Sequence, residues 1–205
     1  PPRPHPRRAR PPPARTVAAN EGIQTLISAR LLKSPADHEQ LTHNRTADPS
    51  GLTALRKICK DNAEAAGLPS ISINDRICGV VVRTLQSCPD INATLDKKAG
   101  SITQYHGVNL AFAVDTPRGL LVPVVAGANR LSLAELNKAM VSRAEDCRKG
   151  SINPDLHSGG TFTVSNLGAV GIESCTPIIN GNQAATPCAC ATPNVAAPAT
   201  DHVSG

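Results

Sequence analysis

The chain is 205 residues long, enough for one domain with a real core and too short for two. It holds two Phe, one Tyr and no Trp; the core must be aliphatic and Ala-rich, and the stacking platforms that single-stranded nucleic-acid binding uses are missing. The net charge of +5 is local: Arg3, Arg7, Arg8, Arg10 and Arg15 lie in an acid-free 1–20 segment, and removing those 5 from 21 basic residues leaves 16 against 16 acidic.

A neutral globular part excludes an electrostatic DNA or anionic-membrane surface. No apolar run reaches transmembrane length, and the N-terminus lacks the apolar core of a secretory signal. Neither nucleic acid nor membrane is therefore expected as a partner.

Residues 1–20, "PPRPHPRRARPPPARTVAAN", contain seven prolines and predict an extended, semi-rigid linker. An Arg-rich, acid-free start is also a trait of transit peptides, but this much proline denies it an amphipathic helix. The chain does not begin with Met, which suggests a fragment of a longer protein. Order is expected from residue 21. "EGIQTLISARLLKS" places Ile23, Leu26, Ile27, Arg30 and Leu31 on one helical face ended by Pro35. Ser50 opens a second helix, with Leu52, Leu55, Ile58, Cys59, Ala63 and Ala66 as its apolar stripe and Gly67 as its stop. Ser72 and Asp75 suggest a cap for a third, over "INDRICGVVVRTLQSC", with Ile73, Ile77, Val81 and Cys88 at helical spacing and Pro89 ending it.

The period then changes. "GVNLAFAV" and "GLLVPVV" read as consecutive strands buried on both faces, joined by the turn residues of "DTPRG". Ser132 and Glu135 form a capping box for a helix carrying Leu136, Met140, Ala144 and Cys147, stopped at Gly150. "GGTFTVSNLG" is a Gly-flanked strand. After Asn180 the chain becomes Ala-, Pro- and Thr-rich and predicts loop. Helices alternate with strands without a GxGxxG, so a layered α/β fold with a mixed sheet is expected rather than a dinucleotide fold.

The seven cysteines are odd in number and form no Cys-x-x-Cys pair. Cys59, Cys78 and Cys147 fall on apolar helical faces and read as small buried hydrophobes in a reducing compartment. The ligand spacing of a zinc site is missing, so no metal is expected; Cys188-Ala-Cys190 reads as loop. There is no GxSxG elbow and no HExxH. His5, His38, His43, His106 and His157 read as solvated polar residues. Ser165 is different: a hydroxyl at the end of an apolar strand, just before Asn166 and Gly168, either satisfies a turn or lines a site.

"VNLAFAVDTPRGLLVPVV", "INPDLHSGGTFTVSNLGAVGIESCTPIINGNQAA" and the earlier "SINDRICGVVVRTLQSCPDINATLD" together resemble the catalytic domain of 2-oxoacid dehydrogenase dihydrolipoamide acyltransferases. The likeness runs in order from about Gly22 to Ala185. It implies a chloramphenicol-acetyltransferase-like two-layer sandwich with a mixed sheet. It also implies homotrimers within a larger core, partnered by the other components of a 2-oxoacid dehydrogenase complex, in bacterial cytoplasm or mitochondrial matrix. The implied reaction moves an acyl group between dihydrolipoamide and coenzyme A. In it a histidine takes the thiol proton and a hydroxyl stabilises the oxyanion.

By that resemblance Ser165 matches the oxyanion hydroxyl, His202 of "TDHVSG" the base, and Arg30 a position associated with coenzyme A. Asp115 to Gly119 match the family turn and read as architecture. Coenzyme A would be a substrate, and lipoate would be carried on a separate domain absent from this chain. The likeness divides the chain into a 1–20 linker, a 21–185 acyltransferase domain, incomplete at its C-terminus, and an irregular 186–205 tail.

The chain also departs from the pattern. Val203 replaces the arginine of the family's Asp-His-Arg-x-x-Asp-Gly motif, and no acid follows His202. The Ser165–His202 interval is shorter than usual. Gly79 stands where the family usually has lysine, and Arg76 where it often has an aromatic. These departures keep open an alternative: a non-catalytic structural core subunit, or a degenerate copy, that retains the fold.

Overall fold

The structure, a computed structural model, describes residues 34, 39–63, 69–117, 119–150 and 158–191. The proline-rich segment, the body of the expected first helix and everything from residue 192 lie outside the described residues.

After α1 (Ser50–Ala63), local capping sets the helices α2 (Ile73–Ser87) and α3 (Leu133–Lys149). At α2 the Asp75 amide donates to Ser72 Oγ at 3.2 Å, and the Ser72 amide donates to Asp75 Oδ2 at 2.7 Å. Ser132 and Glu135 repeat the exchange at α3. Both ends thus satisfy amides that a helix leaves orphaned. Gly150 closes α3 in the left-handed region at φ 74°, which glycine adopts without a Cβ penalty.

Two helical faces differ from expectation. In α2 the buried positions are Asp75, Arg76, Cys78, Val82 and Leu85, while Ile73, Ile77, Val81 and Cys88 are only half-buried. Asp75 is drawn inward because Asn137 Nδ2 of α3 donates to its Oδ2 at 2.8 Å, both side chains being buried. In α1 the expected core stripe is only partly covered: Leu55 is 50% and Ile58 60% exposed, while Leu52 and Cys59 are half-buried.

Each of the two long apolar runs divides in two. The first becomes β3 (Leu110–Phe112) and β4 (Val114–Thr116), the second β5 (Gly119–Leu121) and β6 (Val124–Val125). Pro123 has no amide to continue a ladder. It still accepts from the Phe112 amide at 3.2 Å, after which the Ala113 amide turns to Val164 O at 3.0 Å. β3 and β6 are fully buried, as predicted. β4 and β5 form a separate antiparallel hairpin whose Asp115 and Leu120 are exposed, so burial on both faces ends at Ala113.

The main sheet has the order β6-β3-β7-β8, with β7 spanning Phe162–Asn166 and β8 Cys188–Ala189. β3 runs antiparallel to β6 and parallel to β7, and β7 runs parallel to β8, making the expected mixed sheet. A hairpin of β1 (Ala93–Asp96) and β2 (Ser101–Gln104) has no counterpart in the sequence reading. Its strands are short, β2 is exposed throughout, and it is anchored by Asn92, whose buried side chain donates to Tyr105 O and Gly107 O.

One core joins the layers. Cys78, Val82 and Leu85 of α2 and Leu136, Met140 and Cys147 of α3 pack with Leu110, Phe112, Phe162 and Val164 of the sheet. Burying such side chains typically contributes about 1.5–3 kcal/mol for each large aliphatic or aromatic group.

Candidate active site

Because strand side chains alternate, the burial of Phe162 and Val164 against the helices turns Thr161, Thr163 and Ser165 to the opposite face of β7. That face is polar. Thr163 Oγ1 donates to Gln183 Oε1 at 2.7 Å and accepts from Asn180 Nδ2 at 3.0 Å, and Gln183 Nε2 donates to Gly160 O at 2.9 Å. Gln183 is buried and fully engaged, so the Asn180–Gln183 stretch is fixed across the strand, where a buried amide without partners would be costly. Sequence reasoning missed this network; its only trace was a run of amides in an otherwise Ala-rich stretch.

Ser165 closes the row. Its amide donates to Pro187 O at 3.0 Å, and it faces Cys188 in the β7–β8 register. The side chain is half-buried and makes no hydrogen bond to another described residue. Asn166 holds the strand end: its Nδ2 donates to Asn74 Oδ1 at 2.8 Å in the first turn of α2, and its Oδ1 accepts from the Gly168 amide at 2.9 Å. A Cβ on Gly168 would lie 2.9 Å from the Cys190 carbonyl oxygen, so only glycine lets the two backbones come this close. The result is a hydroxyl donor on a backbone fixed from both sides, the preorganisation that an oxyanion stabiliser requires.

The described residues bring no base to Ser165. His43 and His106 are exposed, and neither bonds to it. His202, Arg30, His5, His38 and His157 lie outside the described residues. An open groove of about 690 Å³ runs along the outer side of α3 between Pro69, Asn137, Lys138, Val141 and Glu145; none of its lining residues belongs to β7 or β8.

The cysteines divide in a way their linear spacing conceals. Cys78 and Cys147 are buried as expected. Burial, and after it the Asp75 carboxylate, push the Cys78 thiol up to about 12, and burial also raises Cys147, so both remain protonated and inert. Cys59 is only half-buried.

The loop reading of Cys188-Ala-Cys190 is corrected. Cys188 begins β8 and forms a disulfide with Cys175, while Cys190 Sγ lies 3.0 Å from Cys175 Sγ. Residues two apart on an extended segment point to one side, and the Ala191 amide clamps the opposing stretch by donating to Ile172 O at 2.7 Å. All three sulfurs lie within 4.8 Å of one another, a grouping that the linear spacing does not show.

This fold is shared with solved acyltransferase cores. It superposes on the truncated catalytic core of the 2-oxoacid dehydrogenase multienzyme complex from Thermoplasma acidophilum with a TM-score of 0.80 at 23% identity, covering 86% of this chain and 80% of that one; this likeness bears on the fold alone. It also matches the dihydrolipoamide acetyltransferase of Azotobacter vinelandii, TM-score 0.74 at 29% identity, over 84% of this chain and 74% of that one. That protein was solved in an investigation of a serine, a histidine and an asparagine in its catalytic mechanism.

In sequence, residues 12–192 match the family model "2-oxoacid dehydrogenases acyltransferase (catalytic domain)". The acetyltransferase component of the pyruvate dehydrogenase complex of Corynebacterium glutamicum is 38% identical over 162 residues, 79% of this chain and 24% of that protein. The succinyltransferase component of the 2-oxoglutarate dehydrogenase complex of Haemophilus influenzae is 33% identical over 80% of this chain and 39% of that protein. The chain belongs to the 2-oxoacid dehydrogenase acyltransferase family and carries its catalytic-domain sequence. It spans about a quarter to two fifths of the length of these curated relatives.

Proposed function

We propose that this chain is the catalytic part of an acyltransferase component of a 2-oxoacid dehydrogenase complex, moving an acyl group between dihydrolipoamide and coenzyme A. The observation that carries the reading is Ser165: a hydroxyl without a hydrogen-bond partner among the described residues, on a braced strand end, in a fold shared with dihydrolipoamide acetyltransferase.

In this reading His202 accepts the proton of the coenzyme A thiol. A thiol is largely un-ionised at neutral pH, and a base of pKa near 7 is suited to the transfer. The thiolate sulfur attacks the thioester carbon of acyl-dihydrolipoamide, and the carbonyl electron pair moves onto oxygen. The Ser165 hydroxyl donates to that oxyanion, an interaction typically contributing on the order of 3 kcal/mol in the transition state. Collapse expels the dihydrolipoamide thiolate, which recovers the proton from His202. Arg30 is assigned to a phosphate of coenzyme A, for which a guanidinium supplies paired donors.

The finer features belong to the same reading. They are a chloramphenicol-acetyltransferase-like sandwich, homotrimers within a multienzyme core, a 1–20 linker before a 21–185 domain and a 186–205 tail, and lipoate supplied from a separate domain. The location would be bacterial cytoplasm or mitochondrial matrix.

The test is coenzyme A-dependent transfer from an acyl-dihydrolipoamide by the purified chain, with His202→Ala beside it. Turnover abolished by that substitution supports the assignment. A correctly assembled chain with no turnover would instead identify a structural core subunit.

A further inference from the structure

We propose that Cys175, Cys188 and Cys190, once the Cys175–Cys188 disulfide is reduced, form a three-thiolate site for a thiophilic divalent cation of the zinc class. Three independent constraints build the cluster. Register with Ser165 fixes Cys188, strand alternation puts Cys190 on the same side, and the Ala191-to-Ile172 hydrogen bond holds the Cys175 stretch against them. All three residues are half-buried, and their sulfurs lie within 4.8 Å of one another. A tetrahedral zinc with Zn–S bonds of about 2.3 Å sets its sulfurs about 3.8 Å apart. The Cys175–Cys190 contact at 3.0 Å needs only a small outward movement to reach that spacing.

The local charge favours a metal over a free reactive thiolate. From Ser158 to Ala191 the chain has no Lys, Arg or His, and Glu173 is its one acid. Nothing along β7, β8 or the loop between them offers the positive charge that lowers a catalytic thiol's pKa. A bound cation supplies that charge itself, and deprotonation accompanies binding. The two chemical steps balance. A phosphine and one water become the phosphine oxide, the phosphine giving two electrons and the water two protons to the disulfide, which leaves two thiols. The cation then displaces three thiol protons to give a tris-thiolate complex of net charge −1, with a fourth position left for water or an added thiol. The disulfide and the metal complex are mutually exclusive states. The inference does not rest on the acyltransferase reading.

The test is titration of the phosphine-reduced chain with cadmium, following the ultraviolet sulfur-to-cadmium charge-transfer band, and with cobalt(II), following its visible spectrum. One cation per chain is expected, with the tetrahedral cobalt spectrum that three sulfurs and one further ligand produce. Cys190→Ser, which leaves the disulfide pair intact for folding, should weaken binding at least ~10-fold, the scale lost when even an outer-shell partner is removed. Cys175→Ser should do the same, and the oxidised chain should not bind. Absence of the band at stoichiometric cadmium, equal binding by oxidised and reduced chains, or binding unchanged by both substitutions would overturn the proposal.

Discussion

Ser165 and Cys188 stand directly opposite each other on parallel strands, and Cys188 carries that pairing into a disulfide with Cys175. The strand paired with the one that presents the candidate hydroxyl is therefore cross-linked to the loop between them. Cys175 and Cys188 are 13 residues apart, and closing a loop of that size contributes about 3 kcal/mol in the chain-entropy account. Reduction should lower the urea midpoint of the chain by a corresponding amount, without changing the far-ultraviolet spectrum at low denaturant. An unchanged midpoint after confirmed reduction would mean that the cross-link adds nothing to stability.

Arg76 is buried, with Nε and Nη2 lacking a hydrogen-bond partner among the described residues. An unsatisfied buried donor costs about 1–3 kcal/mol, and more when charged. Arg76→Met, which keeps the apolar stem, should raise stability in urea by at least about 1 kcal/mol. A loss of stability would reveal a partner for the guanidinium outside the described residues.

Gly79 sits inside α2, where glycine costs about 1 kcal/mol relative to alanine. The added Cβ would lie 3.0 Å from Leu133 Cδ1, the tip of a flexible side chain that is 37% exposed and able to move aside. Gly79→Ala should therefore be stabilising, with a rise in thermal midpoint. A fall would show that Leu133 cannot yield.

The raised Cys78 thiol predicts alkaline sensitivity. Its ordinary value is near 9, and in the folded chain it is about 12. The folded state holds the proton to higher pH, so the stabilisation is complete below about pH 9 and is lost as pH rises toward 12. Within that window unfolding should become easier by up to about 1.4 kcal/mol per pH unit. Lysines and the tyrosine also titrate there, so the informative quantity is the difference between the parent chain and Cys78→Val. A smaller alkaline slope in the variant is expected; identical slopes would contradict the buried-thiol account.

What was legible in the sequence was local. The Ser72/Asp75 and Ser132/Glu135 boxes span four residues each, and they set the starts of α2 and α3 where expected. Pro123 was visible but its effect was not, because dividing an apolar run requires knowing that Ala113 leaves β6 for Val164. The face of α2 depends on an Asp75–Asn137 hydrogen bond across 62 residues, which no helical period encodes. The sulfur cluster escaped for the same reason: Cys175 reaches Cys188 only through strand pairing. Ser165 was identifiable as a hydroxyl at a strand end, whereas His202 and Arg30 owe their assignment to family resemblance alone.

The most direct measurement is the steady-state rate of acyl transfer to coenzyme A by the chain and by Ser165→Ala. The account predicts that the substitution lowers kcat on the order of 10²–10³-fold and leaves KM nearly unchanged, since the hydroxyl acts on charge that exists only in the transition state. Equal kcat in the two proteins would contradict it.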